Sequence, residues 1–132
     1  MSSPRTVLLA EEEAELRDAL ATVLHRHGYE VVAVGDGAEA AELAARELPD
    51  LAVIDMLLPG QSGFRVAELV KLRSDGRVPV VMIAENSSAA HRDYALAAGI
   101  DAFLPVPFPL SALATVARAL CPPGPGSRTI SA

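Results

Sequence analysis

The chain has 132 residues, the size of one ordinary domain, and its 51% hydrophobic and 21% charged residues suit a packed core and not a disordered chain. A net charge of −6 and a pI near 4.9 exclude a basic surface that grips phosphate backbone. One cysteine excludes an internal disulfide framework, and the lack of Trp with only 4% aromatic residues argues against a base-stacking platform.

In chain order, Thr6–Ala10 reads as a buried strand. Ala14–His27 reads as a helix with Leu16, Leu20, Val23 and Leu24 on one stripe and Gly28 as its stop. Glu30–Val34 is the second strand, and Ala38–Leu48 a helix closed by Pro49. Leu51–Asp55 is the third strand, followed by a helix over Phe64–Arg73 that carries Phe64, Ala67, Leu69, Val70 and Leu72. Val78–Ala84 is the fourth strand; its unbroken apolar run suggests cover on both faces. Ser88–Ala98 is a helix that Asn86, Ser87 or Ser88 can cap, and it ends at Gly99. Ala102–Leu104 is the fifth strand, and Ser111–Leu120 a helix behind Pro109. Residues 1–120 form the domain, and residues 121–132 read as a Pro/Gly-rich flexible tail, with Cys121 at its edge as an unremarkable thiol that an exposed tail would leave open to cross-linking. No apolar run approaches the ~20 residues of a membrane span, and Met1–Arg5 is too short and polar for a signal peptide. A cytoplasmic domain is expected.

Strand and helix in alternation predict an α/β domain with a parallel sheet and right-handed crossovers. In such sheets function gathers at the carboxyl ends of the strands. The first strand delivers Glu11-Glu12-Glu13 there, the third Asp55, the fourth Glu85-Asn86-Ser87, and the fifth Pro105-Val106-Pro107-Phe108. If the first and third strands are neighbours, as in the flavodoxin-like order, Glu11, Glu12 and Asp55 form an acidic cluster. Such oxygens suit a hard cation such as Mg²⁺, and a carboxylate beside it can accept a phosphoryl group. The alternative is that the glutamates only favour the first turn of the next helix. A crowded cluster must hold a cation, keep one acid protonated, or turn a glutamate out to solvent. The reach of glutamate favours the last.

The motifs resemble the receiver domain of bacterial two-component response regulators, from about Thr6 to Leu120. Val7-Leu8-Leu9-Ala10-Glu11-Glu12-Glu13 resembles that family's first strand with its acidic pair. Leu51–Gly63, with Asp55, Pro59 and Gly60 in place, resembles its phosphoacceptor strand and loop. Val78–Ile83, Ala98–Leu104 and Pro107-Phe108 resemble its fourth and fifth strands and last loop. The resemblance implies a flavodoxin-like, doubly wound five-stranded sheet in the order 2-1-3-4-5 with helices on both faces. It implies Asp55 as phosphoacceptor and Glu11, Glu12, Asp55 and the Leu57 carbonyl as Mg²⁺ ligands. Phe103 would be the aromatic that reports activation.

Three positions depart from the family. Ala84 stands where it has Ser or Thr, Val106 where it has Lys, and Glu11-Glu12 where it has one or two aspartates. A hydroxyl and an ammonium that would grip a phosphoryl group are therefore missing. This is similar to the atypical, pseudo-receiver branch. The expected function is signal transduction through protein contact, without enzymatic activity, with phosphorylation of Asp55 weak or absent. Phe103 then keeps one orientation. The partner face is that of the fourth helix, fifth strand and fifth helix, with His91, Arg92 and Tyr94 as contributors. A sensor histidine kinase is a further partner; nucleic acid and membrane are not. The alternatives are a working phosphoacceptor in a His-Asp phosphorelay and a flavodoxin-like nucleotide binder. The second rests on Gly35-Asp36-Gly37-Ala38-Glu39-Ala40, a G-x-G-x-x-A pattern, although Asp36 and Glu39 put negative charge where pyrophosphate would sit.

Overall fold

The computed structural model describes residues 4–85 and 88–124. Five strands, β1 (Thr6–Ala10), β2 (Glu30–Val34), β3 (Leu51–Asp55), β4 (Val80–Ala84) and β5 (Ala102–Pro105), form one sheet in the order 2-1-3-4-5. All neighbouring pairs are parallel. The helices are α1 (Ala14–Arg26), α2 (Gly37–Arg46), α3 (Gly63–Ser74), α4 (Ala89–Ala97) and α5 (Leu110–Leu120). Among the described residues no helix is long and apolar enough to cross a membrane.

Period-two alternation splits the core in two. On β1, Leu8 and Ala10 face one cluster with Ile54, Met82 and residues of α2, α3 and α4; Val7 and Leu9 face the other with Val53, Ile83, α1 and α5. The three central strands are buried on both faces, as their apolar runs predict. β2 is an edge and leaves Val32 45% exposed. On α1, Leu20 and Leu24 are buried, with Leu16 and Val23 packed beside them. On α3 the buried stripe is Val66, Ala67 and Val70; Leu72 points to solvent.

Boundaries follow local chemistry. β4 starts at Val80 and not Val78, because Pro79 has no N–H and the Val78 N–H donates to Ser74 Oγ at 3.1 Å. Asp36, Ser62 and Ser88 cap α2, α3 and α4 by accepting from the backbone N–H three residues on. At α4 the His91 ring completes a capping box, accepting from the Ser88 N–H at Nδ1, 3.3 Å away. His91 is thus an exposed residue that also caps the helix; Asn86 and Ser87 lie outside the described residues.

The packed unit runs past Leu120. Cys121 and Gly124 are buried, and Tyr29 Oη donates to the Cys121 carbonyl at 2.6 Å. Burial pushes the Cys121 thiol above its usual range, so it is an inert, shielded thiol and not one open to cross-linking. The remaining tail residues, 125–132, lie outside the described residues.

Candidate acidic site at the carboxyl edge of the sheet

Because the strands are parallel, their carboxyl ends open at one edge. Ala10 of β1 pairs with Ile54 of β3, and Asp55 pairs with Ile83 of β4. The next residues of β1 and β4 therefore flank Asp55. An open cleft results, lined by Glu11, Glu12, Glu13, Asp55, Leu57 and Glu85. Glu11, Glu12 and Asp55 were legible as a cluster; the parallel register adds Glu13 and Glu85.

Glu11 is only 3% exposed. Its Oε2 accepts from the Glu13 N–H at 2.9 Å, while no N–H or O–H of another group reaches its buried Oε1. Burial foremost, then the facing Asp55 side chain, pushes the Glu11 carboxyl up to about 8. At neutral pH Glu11 therefore carries a proton that it shares with Asp55. Glu12 is exposed. The cluster thus relieves its charge in two ways: one glutamate turns outward, as expected, but the buried one stays and is protonated. Arg17 lies nearby, yet its Nη1 donates to the carbonyls of Glu11 and Glu12, at 2.9 and 3.2 Å, and not to a carboxylate.

Asp55 is half-buried, and its Oδ1 accepts from the Leu57 N–H at 2.8 Å. Substituting Asp55→Asn keeps an acceptor for that bond and removes one crowded charge. We expect it to be neutral or stabilising, by roughly 0–2 kcal/mol, in urea denaturation at pH 7. A clear loss of stability would show that the proton shared with Glu11 holds the Asp55 charge more strongly than the neighbouring acids repel it.

The loop after Asp55 is held by close backbone approaches. The Gly63 N–H donates to the Met56 carbonyl at 3.0 Å, and a Cβ on Gly63 would overlap the Asp55 carbonyl oxygen. The Gly37 N–H donates to the Pro59 carbonyl at 2.8 Å, and a Cβ there would overlap the Gln61 carbonyl. The G-x-G motif is thereby explained. The start of α2 is capped by Asp36 and covered by the loop over Gln61, which leaves no open cradle for pyrophosphate.

The switch positions stand as follows. Ala84 is fully buried, with a methyl where the family has a hydroxyl. The Val106 N–H donates to the Ala84 carbonyl at 2.8 Å, and its side chain packs partly buried on the α1/α5 side. Phe103 is half-buried against the opposite core cluster. Tyr94 is 62% exposed, and its ring meets Phe64 of α3 edge-on at 5.0 Å. Hard oxygen donors are present, as Mg²⁺ requires. However, Glu11 Oε2 and Asp55 Oδ1 are committed to backbone N–H groups and Glu12 is exposed. Among the described residues no three His, Cys, Asp or Glu side chains converge to hold an ion. The preformed metal cage implied by Glu11, Glu12, Asp55 and Leu57 is not assembled in this arrangement.

A doubly wound 2-1-3-4-5 sheet with an aspartate ending its middle strand and acids ending the next defines a class of signalling domain. The chain belongs to the response regulator receiver domain family, whose model matches residues 7–118. It is 36% identical over 115 residues to the response regulator MprA of Mycobacterium leprae, covering 86% of this chain and 50% of that protein. It is 40% identical over 111 residues to the transcriptional regulatory protein PdtaR of Mycobacterium tuberculosis, covering 83% of this chain and 53% of that one. A putative response regulator from Chloroflexus aurantiacus has a similar structure, with a TM-score of 0.81 and 26% identity over 89% of this chain and 98% of that one. The chain spans about half the length of the curated relatives it matches.

Proposed function

We propose that this receiver domain is atypical: Asp55 takes a phosphoryl group poorly, and the domain signals by binding a protein partner. The observation that carries the reading is the buried methyl of Ala84 beside Asp55's strand, together with Val106 at the lysine position. In phosphoryl transfer an Asp55 oxygen would bond to phosphorus as the bond to the donor's leaving group breaks. The three phosphoryl oxygens would then need donors and a positive charge. Here they would meet a methyl, an isopropyl group and four further carboxyl groups, from Glu11, Glu12, Glu13 and Glu85. Receiver domains bind Mg²⁺ at this position; this chain, with its lone-standing Glu12 and protonated Glu11, holds the ion weakly.

Asp55 and its Pro/Gly loop favour the competing reading, a working phosphoacceptor served by a sensor histidine kinase. Incubation with a small acyl phosphate and Mg²⁺, followed by intact mass measurement, decides between them. The native chain should show at least about 100-fold slower labelling than the Ala84→Thr/Val106→Lys variant, the scale of losing a preorganised charge-stabilising donor. Rapid, stoichiometric labelling of the native chain overturns the atypical reading.

The partner face we favour is that of α4, β5 and α5, where Tyr94, Leu96 and Leu110 are 62%, 45% and 40% exposed. Its action is contact and not turnover.

A further inference from the structure

We infer that the groove between α3 and α4 is a surface for self-recognition: a second copy of this chain packs there about a twofold axis, with the two α3 helices antiparallel. The groove is open, about 620 Å³, and shares no lining residue with the acidic cleft. Its apolar wall is made by Phe64 and Tyr94, whose rings meet at 5.0 Å, and by Ala98 and Ile100. Lys71 also lines it, but its charge is answered internally by Asp101 at 2.7 Å. The inference goes beyond the proposed function and holds whatever happens at Asp55.

Convex and concave parts stand side by side on this surface. Leu72, on the rim, is 75% exposed, the most exposed large hydrophobic side chain among the described residues. The same helix thus carries a knob and borders a hole, as an isologous contact requires.

The exposed stripe of α3 has the spacing of a helix–helix seam. Arg65, Glu68, Leu72 and Asp75 are all exposed, all line the groove, and follow one another at steps of three, four and three residues. Charge then sets the orientation. Parallel pairing brings Arg65 to Arg65, Glu68 to Glu68 and Asp75 to Asp75, with repulsion at each. Antiparallel pairing about a twofold brings Arg65 of each copy to Asp75 of the other copy. It also lays each Leu72 over the aliphatic stem of the facing Glu68, at the middle of the groove. The Arg65–Glu68 contact within one helix, exposed and at 3.7 Å, is too weak to compete. An unrelated amphipathic helix would suit the apolar wall alone; the order of charges along this stripe is complemented by its own reverse.

The test is sedimentation velocity of the full chain over a range of concentrations. A monomer–dimer equilibrium with no larger species is expected, since a twofold contact closes on itself. Leu72→Gln, at a solvent-exposed position, should keep the native circular dichroism and weaken dimerisation about tenfold or more. Leu110→Gln, on α5, should change it little. Arg65→Asp and Asp75→Lys each set like charges against one another across the seam, and each alone should weaken dimerisation about tenfold or more. Mixed in equal amounts, these two variants should restore the dimer, because each chain supplies the sign that the other lacks. The inference is overturned if the native chain is still monomeric at about 1 mM, where even a weak specific contact is populated. It is overturned equally if Leu110→Gln breaks the dimer and Leu72→Gln does not, which would place the contact on the face of α4, β5 and α5. A mixture of the two charge variants that stays monomeric overturns it as well. None of these outcomes bears on acyl phosphate labelling of Asp55.

Discussion

Raising the pH from about 4.5 to about 8 should destabilise the fold, by on the order of 3 kcal/mol from Glu11 alone. The folded protein holds the Glu11 proton up to about 8, while the unfolded chain releases it near 4.5. Between those values the native state binds more protons than the unfolded state, so stability falls as pH rises. The contribution is complete below about 4.5 and gone above about 8. Glu11→Gln removes the titrating group and keeps an N–H to offer Asp55. Its unfolding free energy should lose this slope and exceed that of the native chain most at pH 8. Urea denaturation of both proteins across pH 4.5–9 isolates the effect, because every other titrating group is common to the pair. Parallel curves would show that Glu11 ionises freely in the folded state.

Gly63→Ala should cost at least about 3 kcal/mol or prevent folding. The added methyl would overlap the Asp55 carbonyl oxygen and crowd Met56 Cα, and both are backbone. Neither can swing aside as a side chain tip would. Relief requires moving β3's end or the start of α3, which breaks the 3.0 Å bond from the Gly63 N–H to the Met56 carbonyl. Gly76→Ala provides the control. Its φ of +76° makes that change mildly strained, but nothing lies within 4 Å of the new methyl. Thermal unfolding of the two variants should separate them clearly. Equal, small losses would mean that the loop shifts at little cost.

The sheet was legible because burial on two faces leaves a plain mark: Leu51–Ile54 and Val80–Ile83 have no polar interruption. Helix ends were less legible. Glu47 and Leu48 continue an apolar and charged pattern, yet Glu47 is extended, and nothing short of three-dimensional packing marks that break. At the site, Asp55 and Glu11 could be read because strand ends are countable. Which glutamate is buried could not, since Glu11 and Glu12 are chemically identical and differ only in the side of the chain they leave from. The inward direction of Glu11 follows the strand's alternation one residue past Ala10. The roles of Gly37 and Gly63 were hidden for a similar reason, because each is defined by a carbonyl from a distant stretch of chain. His91 is a surface residue, as read, but its second role as a cap was missed; that role is set by its spacing from Ser88.

The anchoring of α4 is lopsided. Ala95 is its only buried residue, whereas Ile100 just beyond it is buried and Asp101 is clamped by Lys71 and by the Val80 N–H at 2.8 Å. Mechanically the helix is held firmly at its trailing end, with the Tyr94–Phe64 ring contact and the Ser88 cap as further described ties. Ala95 and the Tyr94–Phe64 contact are small next to the packing of the whole domain, so the work of tilting α4 is a small fraction of the work of unfolding the domain. A partner seated on the outer surface would then load the trailing joint at Ile100 and Asp101, where α4 hands over to β5.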